Sequence, residues 1–139
     1  MKAKEFFEKH NEILRQYDYN YERYKIKFSV ALVKLDETLN SYDIDFDSMI
    51  RYSDQFLKID EMLYFFLFLG TDIKKAFQAL LNLEKKLLSK FDLYYANTIF
   101  QAAVVSKEKG RDIEEMIRIC FELLNESKQG QIILTESDL

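Results

Sequence analysis

The sequence predicts an α/β (α+β) fold of the ferredoxin-like kind: a mixed sheet around an antiparallel hairpin, with helices packed on it. Three observations carry that expectation. Segments with apolar residues at helical spacing alternate with β-branched and aromatic runs, in the order α-β-α-β-β-α-β-α-β. Two strand-like runs, 55–59 and 61–69, abut with only Asp60 between their patterns, as in a tight hairpin. Three glycines and no proline stand in 139 residues, where average usage gives roughly ten and seven. Gly70, Gly110 and Gly130 fall between periodic segments and punctuate long regular elements.

Residues 3–24 place Phe6, Phe7, Ile13, Leu14, Tyr17 and Tyr21 at helical spacing between charges, which predicts one amphipathic helix. Lys25 to Leu35 alternates in part and is rich in β-branched residues, a strand. A connection over 36–42 leads to a short helix over 45–52, with Phe46, Met49 and Ile50 on one face. The hairpin follows. Its second strand, Met62 to Leu69, is apolar on both faces and belongs at the centre of a covered sheet. Gly70 ends it, and Thr71 or Asp72 caps a helix to about Ser89. Leu93 to Val105 reads as a strand, starting as late as Asn97. After a polar loop at 106–111, Asp112 opens a helix to about Ser127, Gly130 marks its end, and 131–135 form a last short strand.

The length suits a single domain over 1–139. Apolar residues make up 48% and aromatics 15%, too many for a disordered chain. The net charge of −4 argues against nucleic acid as the main partner, because phosphate contacts need a basic footprint. It leaves room for one small anion on a local arginine. The glycines are too dispersed for a P-loop or a GxGxxG turn. With one cysteine, Cys120, and one histidine, His10, there is no internal disulfide, cysteine zinc site or multi-histidine metal site. A carboxylate-only metal site stays open. No run of about 18 apolar residues occurs, so no membrane insertion is expected. The charged first ten residues lack a signal-peptide core, and a cytoplasmic protein is expected.

Over nearly the whole chain, from about residue 5 to 134, the order of elements and the residues at their ends resemble the GGDEF domain of diguanylate cyclases. Phe28 to Asp36 is similar to the family's strand ending in Asp-x-Asp. Arg51-Tyr-Ser-Asp54 resembles the Arg-x-x-Asp that precedes the signature, and the segment from Lys58 to Leu67 resembles the signature hairpin with its following strand. Gly70-Thr-Asp72 opens a helix, as in the family. Thr98 to Val105 sits where the family has Thr-x-Ser-x-Gly-x-Ala. Asp112 to Ile117 resembles the helix start Asp-x-x-x-Leu, and Ser127 to Gly130 the closing Ala-Lys-x-x-Gly. The match rests on order and spacing together, since each piece alone is short.

The departures bear on chemistry. The family's two signature glycines shape the hairpin turn and let guanine approach the backbone. If Asp60 and Glu61 are the signature's acidic pair, those glycines are deleted; in the alternative alignment Lys58 and Ile59 replace them, ahead of Asp60, Glu61 and Met62. The resemblance implies two divalent cations held by carboxylates in a working cyclase, but the first Asp of Asp-x-Asp aligns with Lys34, whose ammonium repels a metal. Only residues 37–50 lie between Asp36 and Arg51, so the helical stretch that grips guanine and ribose is largely missing. These defects imply a lost metal site at Lys34 and no catalysis.

The resemblance implies that Arg51 and Asp54 stand at the family's inhibitory site for cyclic di-GMP. An arginine fork bonds phosphate or the Hoogsteen edge of guanine, and an aspartate accepts from guanine N–H groups. The simpler reading is a surface ion pair at i, i+3. Asp60 and Glu61 could serve as a carboxylate pair; a turn plus a salt bridge to Lys34 across adjacent strands is the simpler role. The acidic run Asp43-Ile-Asp-Phe-Asp47 lacks the glycine and final glutamate of a calcium loop. His10 reads as a polar helix residue and Cys120 as core. Tyr17, Tyr19, Tyr21 and Tyr24 fit either a partner surface or helix packing, with Tyr19 off the helical face. Tyr64, in the buried strand, needs a hydrogen-bond partner. The sequence is therefore read as a catalytically inactive GGDEF-like signalling or scaffolding module without a cofactor. Its expected partner is a protein, including a second copy of itself. A cyclic di-GMP receptor is the alternative, and an active cyclase the last.

Overall fold

The computed structural model describes residues 2–39, 43–91, 100–108, 110–126 and 132–134. The N-terminal segment forms two helices, α1 (Ala3–Lys9) and α2 (Asn11–Tyr24), rather than the single helix expected. His10, at φ −118° and ψ 22°, breaks the helical path. Its N–H still donates to the carbonyls of Phe6 and Phe7 at 3.2 Å. The kink lets Phe6 and Phe7 on one helix and Leu14 and Tyr17 on the other reach the same sheet face. Tyr24 and Tyr19, in contrast, are 59% and 49% exposed, so the packing expected of Tyr24 does not occur. Lys25 ends α2 in the left-handed region at φ 56° and donates its N–H to Tyr21 at 2.9 Å.

Five strands form one sheet: β1 (Phe28–Leu35), β2 (Gln55–Lys58), β3 (Leu63–Leu69), β4 (Phe100–Ser106) and β5 (Ile132–Leu134). Their order is β2-β3-β1-β4-β5; β5 runs parallel to β4 and every other pair is antiparallel. The N-terminal part of the Leu93–Val105 strand, Ser127 and Gly130 lie outside the described residues. Between β1 and β2 the expected short helix over 45–52 is a single 3-10 turn, Phe46–Ser48. The tight hairpin also differs: β2 ends at Lys58 and β3 starts at Leu63, so Ile59 to Met62 form the connection. The Ile59 and Asp60 N–H groups both donate to the Leu63 carbonyl, and Asp60 Oδ1 accepts the Met62 N–H at 2.9 Å. An aspartate that bonds the backbone two residues on builds such a turn without glycine.

Both sheet faces are covered, and the period-two alternation of β1 and β3 decides which side chain goes where. On one face Ala31, Val33, Tyr64, Phe66 and Phe68 meet helix α3 (Ile73–Lys90) through Ile73, Ala76, Leu80, Leu83 and Leu87. Phe46 of the 3-10 turn completes this face at 1% exposure and stacks edge-on against Phe56, Tyr64 and Phe66. On the other face Val30, Leu32, Phe65 and Leu67 meet α1, α2 and helix α4 (Ile113–Glu126), whose Met116, Ile117 and Cys120 are fully buried. Asp72 caps α3, its carboxylate accepting the Lys75 N–H at 2.9 Å, as the sequence predicts. Gly70 makes the turn ahead of it at φ 70°, a conformation that strains any side chain. Cys120 donates to the Ala103 carbonyl at 3.7 Å, and burial pushes its thiol pKa up.

Candidate functional site

Two regions gather the residues that the sequence singles out. The first is the hairpin end of the sheet. Lys34 lies one residue before the end of β1, opposite Leu63 of β3 and Gln101 of β4. It is exposed, and it lines a cleft of about 240 Å³ with Asp60, Met62 and Leu63 of the hairpin and Phe121 and Leu124 of α4. Lys34 and Asp60 thus share a cleft, yet the expected salt bridge does not form. Glu61 pairs with Lys58 at 3.4 Å, and Asp60 turns back onto the Met62 N–H. Ile59 is half-buried against the α4 side of the sheet. No three His, Cys, Asp or Glu side chains converge as a metal site among the described residues. Burial raises the Tyr64 pKa from its usual 10.0, with Lys58 opposing and Glu61 and Asp60 adding to the rise.

The second region lies at the opposite end of β2 and β3. Arg51 and Asp54 flank the turn that enters β2 and bond each other through side chains and backbone. Arg51 Nε donates to Asp54 Oδ2 at 3.0 Å and Nη2 to Oδ1 at 2.8 Å. The Arg51 backbone N–H donates to the same carboxylate at 3.3 Å, and the Asp54 N–H returns to the Arg51 carbonyl at 2.9 Å. Nη2 also donates to the Leu69 carbonyl at the end of β3, at 2.8 Å. The pair is a bidentate fork, stronger than a point-charge contact. The Asp54 side chain is 2% exposed and that of Arg51 53%. The structure therefore corrects the surface-pair reading for Asp54: its carboxylate is covered by the arginine rather than exposed. The bond from Asp54 raises the Arg51 pKa further. Burial first, and then the Asp54 charge, push the nearby Tyr17 hydroxyl up to about 12. That hydroxyl donates to Gln55 Oε1 at 3.1 Å.

Arg51 stands over a cleft of about 290 Å³ between the 49–51 segment and α3. Lys75, Gln78, Asn82 and Lys86 of α3 line its wall. Lys86 Nζ ties the segment down by donating to the Met49 carbonyl at 2.9 Å. Sequence reasoning passed over this wall, although the spacing of 75, 78, 82 and 86 is the mark of one helix stripe. A second missed cluster is structural. Lys107 of the β4–α4 loop is 3% exposed in its side chain and bonds Asp18 of α2 at 2.8 Å. It also donates to the Arg111 carbonyl and lies over the Tyr21 ring. Asp18 Oδ2 accepts the Ile113 N–H at the start of α4 at 2.8 Å. No helix of the described residues is long and apolar enough to cross a membrane.

No family model matches the sequence, and no curated protein does. Solved structures do match the fold. The GGDEF domain of DgcB from Caulobacter crescentus, in complex with c-di-GMP, superposes with a TM-score of 0.70 at 7% identity, over 89% of this chain and 86% of that one. The active GGEEF domain of a diguanylate cyclase from Vibrio cholerae gives 0.65 at 14% identity, over 89% and 94%. Diguanylate cyclase SiaD from Pseudomonas aeruginosa, in complex with its activator SiaC, gives 0.67 at 12% identity. The match to SiaD covers 89% of this chain, which spans 56% of SiaD. In fold, the chain is a GGDEF-like domain.

Proposed function

We propose that this GGDEF-like domain makes no cyclic dinucleotide and works as a signalling or scaffolding module that binds a protein partner. One observation carries the proposal: an exposed lysine, Lys34, shares its cleft with the hairpin turn, where the resemblance implies a carboxylate-held cation beside a glycine turn. An ammonium at a metal position repels the cation instead of neutralising triphosphate. The turn itself carries Ile59, Asp60, Glu61 and Met62, so side chains stand where a base would approach the backbone. That SiaD is solved with a protein activator supports a protein-binding role for this fold. Calorimetric titration with GTP and magnesium tests the proposal. No saturable heat is expected, and one-to-one binding would overturn it.

A second reading is a cyclic di-GMP receptor, favoured by the cleft beneath Arg51. Its weakness is the sealed Asp54, which leaves Arg51 alone to read the base. Titration with cyclic di-GMP decides this reading. Saturable heat that Lys75→Glu weakens supports it, and a flat titration removes it.

A further inference from the structure

Charge is divided between α3 and α4, which pack on opposite sheet faces. α3 carries Lys74, Lys75, Lys85, Lys86 and Lys90 against Glu84 alone, in a chain whose net charge is −4. On the far face α4 carries Glu114, Glu115, Glu122 and Glu126 against Arg118, which is already shared between Glu115 and Glu122. The cleft beside α3 concentrates the positive side. Its charged residues are Arg51, Lys75 and Lys86, and its one acid, Asp54, is neutralised by Arg51.

We infer that this cleft is the docking surface for an acidic segment of a protein partner, bound in extended conformation along α3. Three features point to that ligand class. Lys75 and Lys86 stand on one stripe and are separated by about 16 Å along the axis at 1.5 Å per residue. No single phosphate or carboxylate spans that distance, while about five residues of extended chain do at 3.3 Å each. Both lysines keep donors to give. Lys86 Nζ uses one bond on the Met49 carbonyl and an ammonium has three. Between them Gln78 and Asn82, bonded to each other at 3.1 Å, present amides that suit a peptide backbone. Ile50 and Ala79 give the cleft an apolar floor for an interleaved aliphatic side chain. The net charge of −4 argues against a nucleic acid, whose phosphate contacts need a broader basic footprint.

The inference rests on the protein-binding role proposed above and names the chemistry of its partner. A fluorescein-labelled hexaglutamate peptide is the probe, with fluorescence anisotropy at low salt as the readout. Binding should saturate, weaken as salt is added, and fall by about tenfold or more in Lys75→Glu and in Lys75→Glu/Lys86→Glu. Lys4→Glu, which changes net charge equally on α1, should leave it unaltered; circular dichroism establishes that each variant is folded. Absence of saturation, or equal loss in Lys4→Glu, overturns the inference. Tighter binding of an oligothymidylate with the same variant pattern also overturns it, in favour of a nucleic-acid surface. Self-association that Lys75→Glu abolishes overturns it in favour of a second copy's α4. Each of these outcomes leaves the GTP titration, and with it the non-catalytic reading, to stand or fall separately.

Discussion

Arg51 and Asp54 show how a two-residue motif changes meaning once its geometry is known. The carboxylate is buried under the guanidinium, so Arg51→Ala leaves it with only the backbone N–H of residue 51. Such a loss should cost about 2 kcal/mol, the scale for stripping a buried charge of its partner. Urea denaturation checks this, and a change within 0.5 kcal/mol, the ordinary surface scale, would contradict the sealed geometry. Lys25 offers the opposite sign. It holds a left-handed conformation at φ 56°, which glycine adopts freely, so Lys25→Gly should raise stability by about 1 kcal/mol. Tyr17 contributes to the alkaline pH dependence, together with Cys120 and Tyr64. The folded Tyr17 hydroxyl is pushed up to about 12 from 10.0, so the unfolded chain loses the proton first. The Tyr17 contribution should therefore be full below pH 10 and be lost as pH rises toward 12, so that between these values stability falls less steeply in Tyr17→Phe.

At the scale of elements, Asp18 is the joint between α2 and the start of α4. It holds the buried Lys107 and bonds the first N–H of α4. Asp18→Ala strands an ammonium that is 3% exposed and should cost about 3 kcal/mol, while Asp18→Ala/Lys107→Met should recover most of it. Denaturation midpoints of the wild type and both variants check this; equal losses in the two variants would assign the cost to the α4 bond instead. Nothing in the sequence pointed to this pair, because the partners lie 89 positions apart and Lys107 sits in a loop that composition marks as polar. The strands and the long helices were legible from their apolar pattern: an unbroken apolar run marks the covered strand Tyr64 to Leu69, and apolar residues at helical spacing mark Ile73 to Leu87. The break at His10 was not, since the apolar spacing runs through it and only the demand of one sheet face on two helices produces it. The 3-10 turn at Phe46 was read as a helix because one apolar triad satisfies either geometry over so short a span. Arg51 and Asp54 were legible as a pair, but the burial of the carboxylate was not, because it depends on Leu69 and the far end of β3.

The whole molecule is a sheet between two unlike layers. One layer is a single basic helix over an aromatic core; the other is three helices ending in an acidic one. The hairpin end, where the resemblance implies chemistry, presents a lysine and a glycine-free turn; the opposite end presents the arginine cleft. On the reading proposed above, function lies on binding surfaces and not at a metal centre. Incubation with GTP and magnesium, followed by chromatography of the products, tests that claim most directly. The account predicts unchanged GTP, in the wild type and also in Lys34→Asp, since the turn still lacks its glycines. Accumulation of a cyclic dinucleotide in the wild type would contradict it.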